Sequence, residues 1–480
     1  MPFLSDLAFE TSVVARSLAD FLSGGALRLG VTGLSKAGKT VFIAALVDNL
    51  INAGKLPVLR ASAEGRIARV HLEPQPDDAV PRFAYEEHLA ALSGSDRRWP
   101  QSTRRISQLR LTIEFERAAS WGSRASALTL DIVDYPGEWL LDLPLLDKSY
   151  AQWSRETIEA SEAKARAPLA APWRAFLAGL DPAAKAEEDT ARAAAELFTA
   201  YLRDARDEAY ALSCLPPGRF LMPGDLEGSP ALTFAPLPLN EERGIVPRSL
   251  AAMMERRYEA YKTYVARPFF RDHFARLDRQ IVLVDALRAL NSGPAALRDL
   301  ENALTEVMRS FRAGRASRLA SIFRPRVDRI LFAATKADHL HHVSHDRLEA
   351  ILRVLTAKAI ARAEGVGAEI DVIALSAVRA TREAEMRHGG ETLPAIVGTP
   401  EAGERIGGHV FDGVAEAAVF PGELPEDPTA AFAGDSVALP EADADWRFVR
   451  FRPPVKVPGA PAPHIRLDRA LQFLIGDRLA

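Results

Sequence analysis

At 480 residues the chain exceeds one ordinary domain, and its 60 Lys and Arg against 64 Asp and Glu leave a net charge of −4. That near-balance supplies no bulk field for nucleic acid or an acidic membrane. The single cysteine, Cys214, excludes disulfide stapling and fits a reducing cytoplasm, and no apolar run reaches the roughly 18 residues of a transmembrane helix.

Residues 1–6 lack the basic leader and apolar core of a signal peptide. Residues 4–22 are amphipathic, with Leu7, Val14, Leu18, Phe21 and Leu22 near one face and Arg16 as the sole cation. An N-terminal helix within 1–25, packed on the next domain, is expected; peripheral membrane contact is the alternative.

Leu27, Leu29 and Val31 then alternate as a short strand, and Val41-Phe42-Ile43-Ala44-Ala45-Leu46-Val47 reads as an apolar helix. Between them, Gly33-Leu34-Ser35-Lys36-Ala37-Gly38-Lys39-Thr40 matches G-x-x-x-x-G-K-[ST], the loop that wraps nucleotide phosphates. Its backbone N–H groups and the helix N-terminus converge on a polyanion. Gly33, Ser35, Lys36, Ala37, Gly38, Lys39, Thr40 and Val41 are therefore the expected phosphate contacts. Lys39 reaches the outer phosphates, Thr40 ligates Mg²⁺, and Lys36 is a candidate tethered ammonium near the same oxygens.

Downstream, Arg97, Arg98, Arg104, Arg105 and Arg110 form a basic cluster where a first switch loop belongs, either solvated surface or a source of a cis arginine. Thr103 is the candidate switch threonine completing the Mg²⁺ shell. Leu128-Thr129-Leu130-Asp131-Ile132-Val133 reads as a buried strand running into Asp134-Tyr135-Pro136-Gly137, the D-x-x-G pattern of GTPases. Asp134 would reach the metal shell and the Gly137 N–H the γ-phosphate. Glu138 stands where small G proteins carry a water-orienting glutamine. A carboxylate repels the triphosphate but serves as a base if its pKa is raised, so slow hydrolysis is expected.

Residues 150–212 and 248–278 are rich in Ala, Glu, Arg and Leu and broken by prolines, as expected of an inserted helical subdomain. It is read equally as a passive lid or as a lever presenting a partner surface. Ile281-Val282-Leu283-Val284-Asp285-Ala286-Leu287 reads as a buried parallel strand, and Leu297, Leu300, Leu304, Val307, Met308 and Phe311 share a helical face.

The strand Arg329-Ile330-Leu331-Phe332-Ala333-Ala334 leads into Thr335-Lys336-Ala337-Asp338, which resembles the [NT]-K-x-D guanine-reading motif of G proteins. Asp338 can accept from guanine N1–H and the 2-amino group while the Lys336 stem covers the purine. His339, His341, His342 and His345 match no metal-ligand spacing and are expected in an exposed loop. Leu348, Ile351, Leu352 and Leu355 form a helix face behind Ser344, a candidate N-cap. Ser376-Ala377-Val378 after the next strand resembles the S-A-K loop that contacts guanine O6, with Val378 in place of lysine. Beyond it, a Gly-, Pro- and Ala-rich stretch holds strand-like Phe448-Val449-Arg450-Phe451, and Leu467, Leu471 and Leu474 mark a closing helix.

The wording Ser-Lys-Ala-Gly-Lys-Thr, Asp-Tyr-Pro-Gly-Glu-Trp-Leu, Ile-Val-Leu-Val-Asp and Thr-Lys-Ala-Asp-His resembles the YcjX-like family of bacterial stress-associated P-loop GTPases over nearly the whole chain. The resemblance implies GTP/GDP and Mg²⁺ as ligands. It leaves the pathway undefined.

The expected architecture is an α/β, mostly parallel, doubly wound sheet of the P-loop NTPase type. A G domain (26–140 and 278–380) would be interrupted by a helical insertion (141–277), then followed by a small β-containing C-terminal excursion (381–463) and a closing helix (464–480). The expected activity is a cytoplasmic, slowly hydrolysing GTP switch with an unknown protein effector, reached by way of the insertion, and no nucleic acid. An ATP-using P-loop enzyme such as a kinase would leave Thr335, Lys336 and Asp338 without a task. A non-hydrolysing nucleotide-binding scaffold differs from the switch only in turnover.

Overall fold

The computed structural model describes residues 25–480 apart from 35, 53, 76, 95, 102, 104, 118–123, 208–211, 213–215, 241–243, 310–326, 366, 389, 407, 435–447 and 458. The helix expected over 4–22, Ser35, Arg104, Cys214 and Phe311 lie outside the described residues.

A seven-stranded sheet has the order β2-β3-β4-β1-β5-β6-β7. Its strands are β1 (Leu27–Gly33), β2 (Ile67–Glu73), β3 (Ser107–Arg117), β4 (Arg124–Asp134), β5 (Arg279–Val284), β6 (Arg329–Ala334) and β7 (Glu369–Ala374). β4, β1, β5, β6 and β7 pair in parallel, while β3 is antiparallel to both β4 and β2. Val31 lies opposite Asp134 and Ile281, and Ala334 opposite Val284 and Ala374. The carboxyl ends of the parallel strands therefore line up along one edge, the place where open α/β sheets bind ligands.

The helices that bear on this sheet and its surroundings are α1 (Lys39–Ile51), α2 (Tyr85–Ser93), α3 (Tyr150–Ala160), α4 (Ala167–Ala178), α5 (Glu188–Ala205), α6 (Leu250–Tyr261), α7 (Ala286–Asn291), α8 (Pro294–Arg309), α9 (His345–Glu364) and α10 (Leu467–Ile475). Strand side chains alternate between faces, and the alternation sorts the core into two layers. Leu29, Val31, Ile281, Leu283, Leu331, Ala333 and Ile373 share a cluster with Phe42, Ile43, Leu46 and Val47 of α1 and Leu467, Leu471 and Leu474 of α10. Val282, Val284, Ile330, Phe332, Val372 and Ala374 pack on the other side with residues of α7, α8 and α9. The apolar run of Val41 to Val47 is explained by α1 being buried nearly all round.

Three local expectations are corrected. The run from Ile281 to Leu287 does not stay extended: β5 stops at Val284, and the Asp285 carboxylate accepts from the Arg288 N–H at 3.1 Å, capping α7. Ser344 occupies the N-cap position of α9 but makes no side-chain capping bond. Residues 448–451 form no strand; Phe451 makes one isolated bridge to Pro400, and Pro453 and Pro454 next to it offer no N–H to extend a ladder.

Between β4 and β5 a 3₁₀ segment, Gly137–Asp147, leads into α3, α4, α5 and α6. Their shared core is aromatic: Trp153 stacks on Tyr258 with ring centroids 5.1 Å apart, and Trp173 on Tyr201 at 5.5 Å. After β7 come β8 (Arg382–His388), β9 (Glu391–Gly398), β10 (Arg405–Ile406), β11 (His409–Val410) and β12 (Ala417–Val419), with β12, β9 and β8 forming an antiparallel sheet. Among the described residues no helix is long and apolar enough to cross a membrane.

Candidate nucleotide-binding site

The loop from Gly33 to Thr40 joins the end of β1 to the start of α1. Gly38, at the N-cap, takes φ +86, and Lys36 is exposed at φ +62. Gly38 sits in a left-handed conformation that costs a side-chain-bearing residue energy. Lys39 is buried, and its Nζ donates to the Gly33 carbonyl at 2.7 Å, folding the lysine across its own loop. Burial pulls the Lys39 pKa down, against the raising influence of Glu138 and Asp134 nearby. Gly137 comes so close that a Cβ built on it would stand 1.9 Å from the Gly33 carbonyl oxygen. Only a glycine lets the Asp-Tyr-Pro-Gly turn lie against the loop.

Thr40, Thr103 and Asp134, far apart in sequence, meet here. The Thr40 and Thr103 hydroxyls are 3.2 Å apart, and Thr103 Oγ1 donates to Asp134 Oδ2 at 2.6 Å. Asp134 Oδ1 is buried without a hydrogen-bond partner, and burial pushes the carboxyl pKa up to about 6 despite the opposing charge of Lys39. Two hydroxyls and a carboxylate with an orphaned oxygen fit a hard divalent cation.

Glu138 is buried and ion-paired with Arg206, which caps the C-terminus of α5. Its main chain is also covered: a Cβ on Gly218 would stand 1.7 Å from the Glu138 carbonyl oxygen. Asp142 accepts from the Gly218 N–H at 2.7 Å and from the Tyr261 hydroxyl at 2.7 Å.

The second half of the edge carries Thr335, Lys336 and Asp338. The Thr335 N–H donates to the Val284 carbonyl at 2.9 Å. Lys336 takes φ +62 and donates from Nζ to Asp285 Oδ2 at 2.5 Å. Burial favours the neutral Asp285 acid, but the charge and hydrogen bond of Lys336 together with Arg288 hold the carboxyl below its ordinary range. Asp338 Oδ1 accepts from Ser376 Oγ at 2.7 Å and Oδ2 from the Ala380 N–H at 2.8 Å. Ser376 Oγ also contacts the Val378 carbonyl at 2.9 Å, while Ala377 is partly buried against α1 and its neighbours.

A profile of the YcjX-like family matches residues 27–479. The chain belongs to this family. A YcjX-like relative from Escherichia coli (strain K12), the "Ras-like GTPase YcjX", is 40% identical over 466 residues, covering 94% of this chain and 96% of its own. A protein of the same name from Shewanella oneidensis is 36% identical over 488 residues and is covered to 94%, as is this chain. In this YcjX-like chain the matched stretch runs from β1 to the last turn and includes the motif residues on both halves of the edge.

Several of the remaining polar candidates resolve differently from their reading as sequence, while Arg98, Arg105 and His342 are exposed as expected. Arg110 forms a two-pronged pair with Asp131, at 2.6 and 2.7 Å, on the face of β3 and β4. Arg97 Nε donates to the Pro453 carbonyl at 2.6 Å. His339 and His345 are buried rather than exposed, the latter with Nε2 2.9 Å from the Ala337 carbonyl. His341 and His342 meet Glu383 of β8, with His342 Nδ1 2.8 Å from its carboxylate, and these ligand atoms lie within 4.8 Å of one another. Sequence reasoning missed Arg206, Asp142, Gly218 and Asp285. It also missed the buried trio of Thr32, Tyr135 and Gln280, in which the two hydroxyls stand 2.5 Å apart. Asp285 alone had a local signal, an acid followed by a helix-like run.

Proposed function

We propose that this chain binds GTP and GDP with Mg²⁺, hydrolyses GTP slowly, and acts as a nucleotide-dependent switch in a bacterial cytosolic stress response. The observation that carries the guanine assignment is Asp338, buried and held by Ser376 and Ala380 at the end of β6. A carboxylate offers about four acceptor directions, so each oxygen keeps one for the ring N–H and the exocyclic amine of guanine. Adenine has no such pair of donors. The names of the two relatives, each a Ras-like GTPase, support the same reading.

Gly33, Ser35, Lys36, Ala37, Gly38, Lys39, Thr40, Val41 and Gly137 take the phosphates in this scheme, and Thr335, Lys336, Asp338, Ser376, Ala377 and Val378 take the base. Thr40, Thr103 and Asp134 would hold Mg²⁺, which supplies charge neutralisation at the phosphate oxygens. Hydrolysis forms a bond from water oxygen to the γ-phosphorus. The bond from that phosphorus to the bridging oxygen breaks, its electron pair stays on GDP, and the water protons leave with inorganic phosphate. In this reading Glu138, next after Gly137, stands near the reacting end. Its carboxylate is spoken for by Arg206, which supports slow turnover in the resting arrangement and also favours the binding-only scaffold as second reading.

The stretch 26–140 with 278–380 serves as the G domain, 141–277 as a helical unit and 381–463 as an excursion closed by 464–480. The aromatic core of α3 to α6 supports the helical unit, and the contact of Arg206 with Glu138 supports its use as a lever on the loop after Gly137, facing an effector. The stress-response assignment rests on the family resemblance. Calorimetry with GTP, GDP and ATP tests the reading: both guanine nucleotides should bind at least about a hundredfold tighter than ATP, the discrimination expected when buried polar groups go unpaired with the wrong ligand. Equal affinity for ATP would overturn it.

A further inference from the structure

Three facts place a second basic group beside the phosphate end. Arg206 stands at the last turn of α5, and a side-chain nitrogen of it contacts Glu138 Oε1 across 68 residues of sequence. Glu138 follows Gly137, whose main chain abuts Gly33 of the phosphate loop, and Lys39 Nζ lies on the Gly33 carbonyl. The Arg206 main chain is itself pinned, because Arg288 Nη2 of α7 donates to the Arg206 carbonyl at 3.2 Å, tying it to the helix that Asp285 caps.

We infer that Arg206 is an arginine supplied in cis by the helical segment to the γ-phosphate, exchanging its hold on Glu138 for the phosphate oxygens when the triphosphate binds. The inference rests on the GTP-binding reading and deepens it. An ion pair between a half-covered arginine and a buried carboxylate neutralises Glu138 while the loop is free of phosphate, so the acid does not repel the incoming nucleotide. Arg206 is also among the charges that act on Lys39, with Glu138 and Asp134 opposing it. Charge develops on the equatorial oxygens and the bridging oxygen as the phosphorus–oxygen bond breaks, and a planar guanidinium with several donors matches those oxygens. Arg206 is unchanged by the step: the electron pair goes to GDP and the water protons to phosphate, as above. The exchange also releases Glu138 to accept from the attacking water.

The same contact explains how the helical segment would sense nucleotide. Its aromatic core holds α5 rigidly, with Phe198, Tyr201 and Leu202 all buried, so the position of Arg206 follows the position of the segment. The basic cluster at Arg97, Arg98, Arg105 and Arg110 is less suited: Arg110 is committed to Asp131 and Arg97 to a main-chain carbonyl.

The test uses the full chain and three variants, Arg206→Ala, Arg206→Lys and Glu138→Gln/Arg206→Ala. Each is assayed for GTP turnover and GDP affinity. The third readout is the tightening of GDP binding by aluminium fluoride, a stand-in for the transferring phosphoryl group. Arg206→Ala leaves the Glu138 charge uncompensated and should weaken GDP binding, but at saturating GTP it should still lose turnover by roughly a hundredfold or more, and it should lose the aluminium fluoride effect. Arg206→Lys keeps the charge that neutralises Glu138, so it should fold normally, and it should recover only a small part of both losses because an ammonium lacks the fork. The double variant should stay defective. Restoration by Glu138→Gln would show that Arg206 only neutralises Glu138 and would overturn the inference. So would full aluminium fluoride capture by Arg206→Ala and Arg206→Lys. An unmodified protein without guanine-nucleotide affinity would instead overturn the reading of the site itself.

Discussion

Gly137 shows how much of the site depends on the absence of a side chain. A Cβ there would stand 1.9 Å from the Gly33 carbonyl, and the obstacle is main chain, which cannot rotate away as a side chain does. Gly137→Ala should therefore part the Asp-Tyr-Pro-Gly turn from the phosphate loop. We expect a loss of folding stability of about 1–3 kcal/mol, the usual cost of overpacking, read by denaturant unfolding, with weaker triphosphate binding alongside. A variant as stable and as tightly binding as the parent would show that the turn is free to move. Gly33, Gly38, Lys39, Thr40, Asp134, Gly137 and Asp338 stood out as sequence because each belongs to a short run of recognisable wording, and the fold brings these runs to one edge of the sheet. Thr103 was legible only as the hydroxyl nearest to where a switch loop belongs, and its hydroxyl is in fact bonded to Asp134. Arg206 was not legible, since nothing within its own stretch marks it; its partner lies 68 residues away.

At the scale of elements, strand ends govern what the side chains can do. β1, β4 and β6 finish where an apolar run meets a glycine or polar residue, which is why these three were readable, whereas β7 stops at Ala374 with apolar Leu375 still to come before Ser376. β5 was overextended because Ala286 and Leu287 are as apolar as the strand before them; the cap formed by Asp285 decides the boundary, and capping depends on one side-chain bond that hydrophobicity does not register. The same limit hid Asp142 in the 3₁₀ segment. Burial raises its pKa to about 7, with the Tyr261 and Gly218 hydrogen bonds working against the rise. A carboxyl whose folded pKa lies above its unfolded value holds a proton in the native state that the unfolded chain releases. Its contribution to stability is thus complete below about pH 4 and is lost as pH rises through about 7. Asp142→Asn keeps the Oδ1 acceptor for the Gly218 N–H, puts a donor where the Tyr261 oxygen can accept, and removes the titration. Its stability, measured by chemical unfolding at pH 4, 5.5, 7 and 8, should fall less with rising pH than that of the parent. Parallel curves for the two proteins would show that Asp142 does not titrate in this range.

Across the whole molecule the two-layer core around the sheet follows from side chains of β5, β6 and β7 pointing to alternate faces and from the apolar α1 and the apolar faces of α8, α9 and α10; the apolar runs of β5 and β6 and these helices were visible in the sequence, their sorting into layers was not. The helical composition after β4 was equally visible, but not its aromatic core, because stacked pairs such as Trp153 with Tyr258 and Trp173 with Tyr201 come from different helices. The strands after β7 were foreseen only as short pieces in a Gly- and Pro-rich stretch. The fold brings the phosphate loop, the Asp134 turn and the Asp338 loop to one edge, and the central claim is that this edge reads guanine through Asp338. The most direct measurement is the affinity of the unmodified chain and Asp338→Asn for GTP, XTP and ATP by calorimetry. An amide presents a donor where the carboxylate accepts, and xanthine offers a 2-oxo acceptor in place of the 2-amino group. The unmodified chain should prefer GTP, and Asp338→Asn should weaken GTP by on the order of a hundredfold while gaining affinity for XTP. A variant that keeps the parental preference for GTP over XTP and ATP would contradict the account.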